Sequence, residues 1–177
     1  MTELRTARFR LDAVTEADTD AVFAYCQNEE LQRWVPVPVP YTRDAAEAYT
    51  TKYAAAAPHL WAIRSGHEFL GVVELKPEPV QSAELGFWLG APHRGHGVMS
   101  EAVAAVVAHG FDDLGLERIW WCAVEGNIGS AIVAQRNGFR FEGLRRKAVE
   151  HRGARLNAWF ASLLREDART PQPGWPV

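Results

Sequence analysis

The sequence has 177 residues, of which 47% are hydrophobic, and a formal net charge of −3. This length and apolar content suit one globular domain with a full core. The charge gives no basic excess, which argues against nucleic acid as a partner. No apolar run of about 18 residues occurs, so we expect no membrane span, and the first residues do not resemble a signal peptide.

The two cysteines and six histidines do not show the spacing of a metal site or a disulfide framework. We therefore expect no metal cofactor. A reducing cytoplasm is the simplest compartment for such a chain.

In chain order, alternating apolar residues predict a strand at residues 6–11. Thr15 and Thr42 are typical N-caps, and they predict helices that extend to about residues 28 and 57. The three prolines between these helices predict a stiff loop at residues 31–41.

Three strands are predicted next, at residues 59–64, 69–75 and 82–89, and the first two are joined through Ser65-Gly66. A helix to about Leu114 follows, and Gly115 is expected to end it.

A strand at residues 117–123 leads to a short helix that Asn127 caps. Two last strands, at residues 139–144 and 156–164, are expected to pair through the turn Arg152-Gly153. We expect the domain to span residues 1–165. The Pro-rich tail, residues 166–177, is expected to be poorly ordered unless Trp175 docks.

The run from Arg94 to Met99 predicts a phosphate-binding turn between a strand and a helix. Gly95 and Gly97 lack a Cβ, so the backbone can bend there and approach a ligand closely. The N–H groups and the positive dipole end of the following helix favour an anion. Arg94 and His96 add positive charge.

This turn is neither a complete dinucleotide fingerprint nor a Walker A loop, because Ser100 replaces the third glycine and no G-K-[ST] run occurs. It resembles the R-x-x-G-x-[GA] acetyl-CoA turn of the GNAT superfamily of N-acetyltransferases. Together with Glu84–Leu89 and Glu101-Ala102, it is similar to the ribosomal-protein N-acetyltransferase branch (RimJ/RimL type). Met99 stands where that family usually has Ala or Gly.

A second motif, Asn127 to Ser130 followed by Asn137-Gly138-Phe139, resembles the N-x-x-S helix of the same family. Ser130 falls in the first helical turn, where the dipole would stabilise a thiolate and a hydroxyl could protonate it. By resemblance, Asn127 contacts the cofactor and Ser130 is the acid for coenzyme A. The alternative is that Asn127 only caps the helix and Ser130 is a bystander.

The sequence offers several candidates for the general base. Glu84 shares strand parity with Trp88 and lies opposite Leu85, and the family often has a carboxylate on this strand. The alternative is a surface glutamate that faces Lys76. Glu74 and Glu150 are weaker candidates, and water alone is another.

The resemblance implies a single-domain α/β fold, with a mixed and mostly antiparallel sheet of about seven strands and about four helices. It implies that acetyl-CoA lies between the strand at residues 82–89 and the strand at residues 117–123. Backbone groups of three residues would pair with the pantetheine arm: Phe87, Trp88 and Leu89. Backbone N–H groups of six would hold the pyrophosphate: Arg94, Gly95, His96, Gly97, Val98 and Met99.

The predicted function is acetyl transfer from acetyl-CoA to a primary amine by direct attack, with a protein N-terminal α-amine as one acceptor. Two alternatives stay open, a small-amine acetyltransferase for an antibiotic or polyamine and a non-catalytic acyl-CoA-binding module. The oligomeric state also stays open, with a homodimer among the candidates.

Overall fold

The computed structural model describes residues 2–177. Eight strands are assigned in this part of the chain: β1 (Leu4–Arg5), β2 (Arg10–Ala13), β3 (Leu60–Ser65), β4 (Glu68–Glu78), β5 (Ser82–Leu89), β6 (Arg118–Val124), β7 (Arg140–His151) and β8 (Ala154–Leu164). The helices are α1 (Thr19–Cys26), α2 (Glu29–Trp34), α3 (Arg43–Ala48), α4 (Ala54–Ala56), α5 (Val98–Asp112) and α6 (Ile128–Arg136).

The strands follow the order β1-β2-β3-β4-β5-β6-β8-β7 in one sheet. The pair β5–β6 is parallel, over a register from Ser82 to Glu84 on β5. The predicted α/β fold with a mixed, mostly antiparallel sheet is confirmed. Residues 2–177 contain eight strands rather than about seven, and five helices rather than about four when α3, the π-helical turn Tyr49–Tyr53 and α4 are taken as one helix.

The chain forms two compact units. The first holds residues up to Lys76 together with Gly86–Val106, and the second holds Pro77–Leu85 together with Val107–Val177. The expected division into a domain of residues 1–165 and a separate tail stays a prediction.

The prediction of a single strand at residues 6–11, at the start of the first unit, is wrong. Two short strands, β1 and β2, pair antiparallel around a turn instead. The Thr6 hydroxyl oxygen accepts hydrogen bonds from the backbone N–H groups of Arg8 and Phe9. Such local side-chain bonds compete with strand pairing, so the chain turns where alternation alone predicts extension.

The helices of the first unit carry the predicted caps. The Asp18 carboxylate accepts from the Thr15 N–H, and the Thr42 hydroxyl accepts from the N–H of Ala45. Helix α2 extends into the segment expected to be a loop, because Asn28 caps it by accepting from Leu31 N. The prolines follow α2, so the stiff loop is shorter than predicted.

The core of the first unit joins α1, α2 and α3 to one face of β3, β4 and β5 through buried residues that include Val22, Leu31, Leu60 and Trp88. Cys26 belongs to this core, and burial raises the pKa of its thiol to about 11. The thiol is therefore protonated at neutral pH, as expected for a cysteine buried in an apolar core.

The second unit is built on β6, β8 and β7 with helix α6. Its tail docks, because Trp175 is only 8% exposed and donates its indole N–H to the Phe139 carbonyl. The Trp175 ring also packs against the buried Trp121, with ring centroids 5.5 Å apart. The predicted hairpin turn is present, with left-handed φ angles at Arg152 and Gly153.

Candidate active site

The turn before α5 has the form expected of an anion-binding helix start. After a short 3-10 segment at Ala91–His93, Gly95 and Gly97 adopt left-handed φ angles of 81° and 74°. The first helical hydrogen bond joins Glu101 N to the Gly97 carbonyl at 3.1 Å. The N–H groups of residues 98–100 therefore precede that bond and point out of the helix end.

The side chain of Arg94 holds the start of the turn. Its Nε donates to the Leu89 carbonyl at 3.2 Å, and its Nη1 pairs with Glu30 at 2.8 Å. Its Nη2 approaches the Asn28 side chain at 3.4 Å. The Arg94 guanidinium, which was expected to contact the phosphate, is thus paired with the Glu30 carboxylate. The His96 side chain is exposed.

His93 also holds the segment before the turn in place. Its Nε2 lies 2.8 Å from the Tyr25 hydroxyl, and the Tyr25 ring fills the space beside Gly90, where a Cβ would come within 2.7 Å of it. Burial and the nearby Glu68 carboxylate raise the pKa of Tyr25, so the phenol stays protonated. The ring thus fixes the position of the loop that leads into the turn.

Sequence reasoning missed Arg8 and Glu101 as a pair. The Arg8 backbone N–H donates to Glu101 Oε1 at 3.0 Å, and its Nε donates to Oε2 at 2.7 Å. Its Nη1 also donates to the His96 carbonyl at 3.1 Å. Because 93 positions separate the two residues, no local pattern could have identified this contact.

The backbone of β5 presents its groups alternately to its two edges. The Trp88 carbonyl lies against β4 so closely that a Cβ on Gly71 would come within 2.3 Å of it. The backbone groups of Phe87 and Leu89 therefore point to the opposite edge of the strand. Among the three residues expected to pair with pantetheine, Phe87 and Leu89 have suitably directed groups and Trp88 does not.

Helix α6 in the second unit begins as predicted. The Asn127 side chain accepts a hydrogen bond from Ser130 N at 3.2 Å. The Trp121 indole donates to Ser130 Oγ at 3.0 Å, which sequence reasoning did not anticipate. Because the oxygen already accepts this bond, the hydroxyl hydrogen remains available to be donated elsewhere.

The three candidate carboxylates differ in environment. Glu84 is half-buried on β5, at the last position of the parallel register, opposite Trp120. Glu74 on β4 is 9% exposed, and the Tyr53 hydroxyl lies 3.0 and 2.8 Å from its two oxygens. Glu150 accepts from Gly153 N in the β7–β8 turn, which gives it a structural role there.

Within residues 2–177, no group of three or more His, Cys, Asp and Glu side chains could hold a metal ion. In the same part of the chain, the helices are too short or too polar to cross a membrane.

Residues 8–140 match the family model described as an acetyltransferase (GNAT) domain. The chain belongs to this acetyltransferase family. The family assignment confirms acetyl-CoA-dependent N-acetyl transfer as the family activity and acetyl-CoA as its cosubstrate.

Two curated relatives match parts of the chain. YjcK of Bacillus subtilis, named as a probable N-acetyltransferase, is 36% identical over 88 residues, which cover 50% of this chain and 49% of the relative. The ribosomal-protein-serine acetyltransferase of Escherichia coli is 32% identical over 110 residues, which cover 60% of this chain and 61% of the relative. The matched segments thus span less than two thirds of either relative's length.

A solved structure of RimL, a ribosomal L7/L12 α-N-protein acetyltransferase in complex with coenzyme A, has the same fold. Its TM-score is 0.82 at 21% identity, and the match covers 92% of this chain and 98% of the RimL chain. The predicted membership of the GNAT family is thus confirmed by the family model, and the fold is shared with RimL.

Proposed function

We propose that the protein transfers the acetyl group of acetyl-CoA to the α-amine of a protein N-terminus, by direct attack of the amine on the thioester. The observation that carries this proposal is the glycine-capped start of α5, with backbone N–H groups ahead of the first helical bond. This is the feature that a pyrophosphate-bearing cosubstrate requires.

In this proposal the N–H groups of the turn from Gly95 to Met99 hold the pyrophosphate, because the Arg94 N–H already donates to the Ala91 carbonyl. The backbone groups of Phe87 bond the pantetheine arm. The Leu89 carbonyl already accepts from Arg94 Nε, and the Leu89 N–H stabilises the oxyanion of the tetrahedral intermediate. Trp88 contributes its ring to the core and not its backbone to the cosubstrate, since its carbonyl faces β4.

Ser130 is proposed to protonate the departing thiolate. The Trp121 indole supports this role, because it orients the oxygen and leaves the hydrogen of the hydroxyl for the leaving group. Asn127 places Ser130 by capping α6, and we propose that it also contacts the cosubstrate.

Glu84 is proposed as the base that removes the amine's proton, directly or through water. An α-amino group has a pKa of about 7.7–8.0, so a base of modest strength is sufficient near neutral pH. Glu74 is the second candidate, because it is a buried carboxylate hydrogen-bonded to Tyr53.

The acceptor is inferred from the relatives, one of which acts on ribosomal protein and another on the α-amine of L7/L12. The two cysteines do not have the spacing of a disulfide framework, and we propose the reducing cytoplasm as the place of action.

The test is release of free coenzyme A from acetyl-CoA in the presence of N-terminal peptides or of small amines, such as polyamines and aminoglycosides. Peptide-dependent release with the acetyl group located on the α-amine by mass spectrometry is expected. Turnover with small amines alone would overturn the acceptor assignment. Acetyl-CoA binding without turnover on any amine would indicate a non-catalytic module.

A further inference from the structure

We propose that Arg8 is a positioning residue for acetyl-CoA binding: it neutralises Glu101 and fixes the peptide between His96 and Gly97 in the pyrophosphate turn. The inference rests on the proposed assignment of this turn to the pyrophosphate. Arg8 precedes α1, far from the turn in sequence, and neither its neighbours nor the family motif marks it for this role.

The first argument is electrostatic. Glu101 lies in the first turn of α5, where a carboxylate stabilises the empty helix through the dipole. The same charge opposes an incoming pyrophosphate, because like charges repel at short range. Partial burial raises the pKa of Glu101, but hydrogen bonds from Thr6 and Arg8 outweigh it and lower the pKa overall. The carboxylate is therefore ionised at neutral pH.

Arg8 cancels this charge at close range. Its backbone N–H and its Nε occupy the two oxygens of Glu101 at 3.0 and 2.7 Å. Paired hydrogen bonds between an arginine residue and a carboxylate fix geometry as well as charge. The carboxylate is thereby held toward the β1–β2 turn. The positive end of the α5 dipole then remains available to the anionic ligand.

The second argument concerns the peptide that joins His96 to Gly97. Arg8 Nη1 holds the His96 carbonyl at 3.1 Å. In a planar trans peptide the carbonyl and the next N–H point in opposite directions, so this bond directs the Gly97 N–H away from Arg8. The Arg8 Nη2 packs 3.5 Å from the position that a Gly97 Cβ would occupy. Arg8 thus acts from behind the turn and is not itself a phosphate ligand.

The experiment compares kcat/KM for two acetyl donors, acetyl-CoA and S-acetylpantetheine, which lacks the pyrophosphate and nucleotide. For Arg8→Ala we expect a loss of roughly tenfold with acetyl-CoA, the equivalent of one charge-assisted contact, and little change with S-acetylpantetheine. The loss should shrink at high salt, because the repulsion from Glu101 is screened.

The decisive variant is the double substitution Arg8→Ala with Glu101→Gln. Removing the carboxylate should restore most of the acetyl-CoA efficiency, since the repulsion disappears with it. The matched control is Arg10→Ala, which removes a nearby half-exposed arginine that pairs with Asp12. It should leave both donors unaffected. If Arg8→Ala does not fold, Arg8→Lys keeps the charge without the forked geometry and should show a smaller loss.

Equal losses for the two donors, or no recovery in the double variant, would overturn the proposal and make Arg8 a purely structural residue. The failure of the proposed function looks different. If Gly97→Val leaves acetyl-CoA binding intact, the turn is not the pyrophosphate site. If Gly97→Val abolishes binding and Arg8→Ala does not weaken it, only the role of Arg8 is wrong.

Discussion

The starts of α5 and α6 are both helix N-termini that follow a strand, yet they are built differently. The N-cap of α5 is Gly97, which has no side chain to satisfy the first N–H groups. The N-cap of α6 is Asn127, whose side chain accepts from the backbone of Ser130. One helix start therefore leaves backbone donors for a ligand, and the other uses its cap to fix a hydroxyl group.

The difference shows how one local element can support two kinds of chemistry. A glycine cap with a left-handed φ brings bare backbone close to an anion, which favours binding. An asparagine cap satisfies a backbone donor and fixes the residue three positions on, which favours placement of a reacting side chain. Changes at α5 should therefore alter affinity for acetyl-CoA, and changes at α6 should alter turnover.

The largest effect is expected at the α6 start. Ser130→Ala should lower kcat by roughly a hundredfold, within the usual range for a lost general acid. The KM for acetyl-CoA should change much less, because the backbone N–H of residue 130 and the Asn127 cap are retained. Steady-state kinetics with saturating acceptor measures both constants.

The matched variant for this test is Ser130→Thr, which keeps a hydroxyl at the same position and should retain most of the activity. A wild-type kcat in Ser130→Ala would show that the hydroxyl only accepts the Trp121 indole bond and that the leaving group takes its proton from water.

The second effect is expected at the α5 start. Gly97→Val places a branched side chain at a φ of 74°, which L residues rarely adopt, and its Cβ would lie 3.5 Å from Arg8 Nη2, so the backbone of the turn must shift. Loss of charge-assisted N–H contacts should weaken acetyl-CoA binding by roughly thirtyfold. Calorimetric titration of the folded variant gives the affinity.

The control is Gly153→Val in the β7–β8 turn, where the glycine has a φ of 75° and no atom lies within 4 Å of the position that a Cβ would occupy. This variant carries the same backbone strain without touching the proposed site. If Gly97→Val and Gly153→Val bind acetyl-CoA with equal affinity, the α5 start is not a special binding element and the contrast with the α6 start is lost.

Both helix starts could be predicted from the sequence because their signals are local. Gly95 and Gly97 mark the first turn, and Asn127 followed by Ser130 marks the second. The partners that complete each start could not be predicted, since Arg8 and Trp121 reach them only through tertiary folding. The same limit applies to Arg94, whose charge the sequence assigns to phosphate but which the fold pairs with Glu30.

The fold was predictable for a related reason. Strand alternation and capping residues indicated the order of strands and helices, whereas the Thr6 turn and helix α2 depend on side-chain bonds that alternation does not report. Periodicity also cannot tell which edge of β5 a carbonyl faces. The contrast between Trp88 and Phe87 therefore emerged only from the close approach of Gly71.

A third test concerns the proton that must leave the amine, which neither helix start explains. If Glu84 is the base, Glu84→Gln should lower kcat/KM about fivefold at low pH, where the acceptor is mainly ammonium. The loss should shrink at high pH, where the amine is already neutral. A pH–rate profile of both proteins records the difference.

If Glu84→Gln shows no pH-dependent loss of kcat/KM, two further variants identify the base. Glu74→Gln would show the pH-dependent loss if the buried carboxylate beside Tyr53 is the base. Glu150→Gln should follow the wild-type curve throughout, because Glu150 only accepts a bond from Gly153 N in the hairpin turn. Parallel curves for all three variants would leave water as the proton acceptor.

The smallest effect concerns the stability of the α5 start. The pKa of Glu101 is lowered in the folded protein: partial burial raises it, but hydrogen bonds from Thr6 and Arg8 prevail. A carboxylate with a lowered folded pKa contributes stability above its unfolded value of 4.5, and that stability is lost as the pH falls through the folded pKa. Glu101→Gln should therefore cost about 0.5–1 kcal/mol of unfolding free energy at neutral pH, as expected for a partly exposed ion pair.

Urea denaturation of wild type and Glu101→Gln, at neutral pH and at an acid pH below the lowered folded pKa of Glu101, measures this contribution. The difference in unfolding free energy between the two proteins should narrow in acid, because the wild-type carboxylate is then protonated and uncharged like the glutamine. A constant difference at both pH values would mean that Glu101 stabilises α5 through packing and not through its charge. In that case the ion pair between Arg8 and Glu101 would not contribute to the stability of the α5 start.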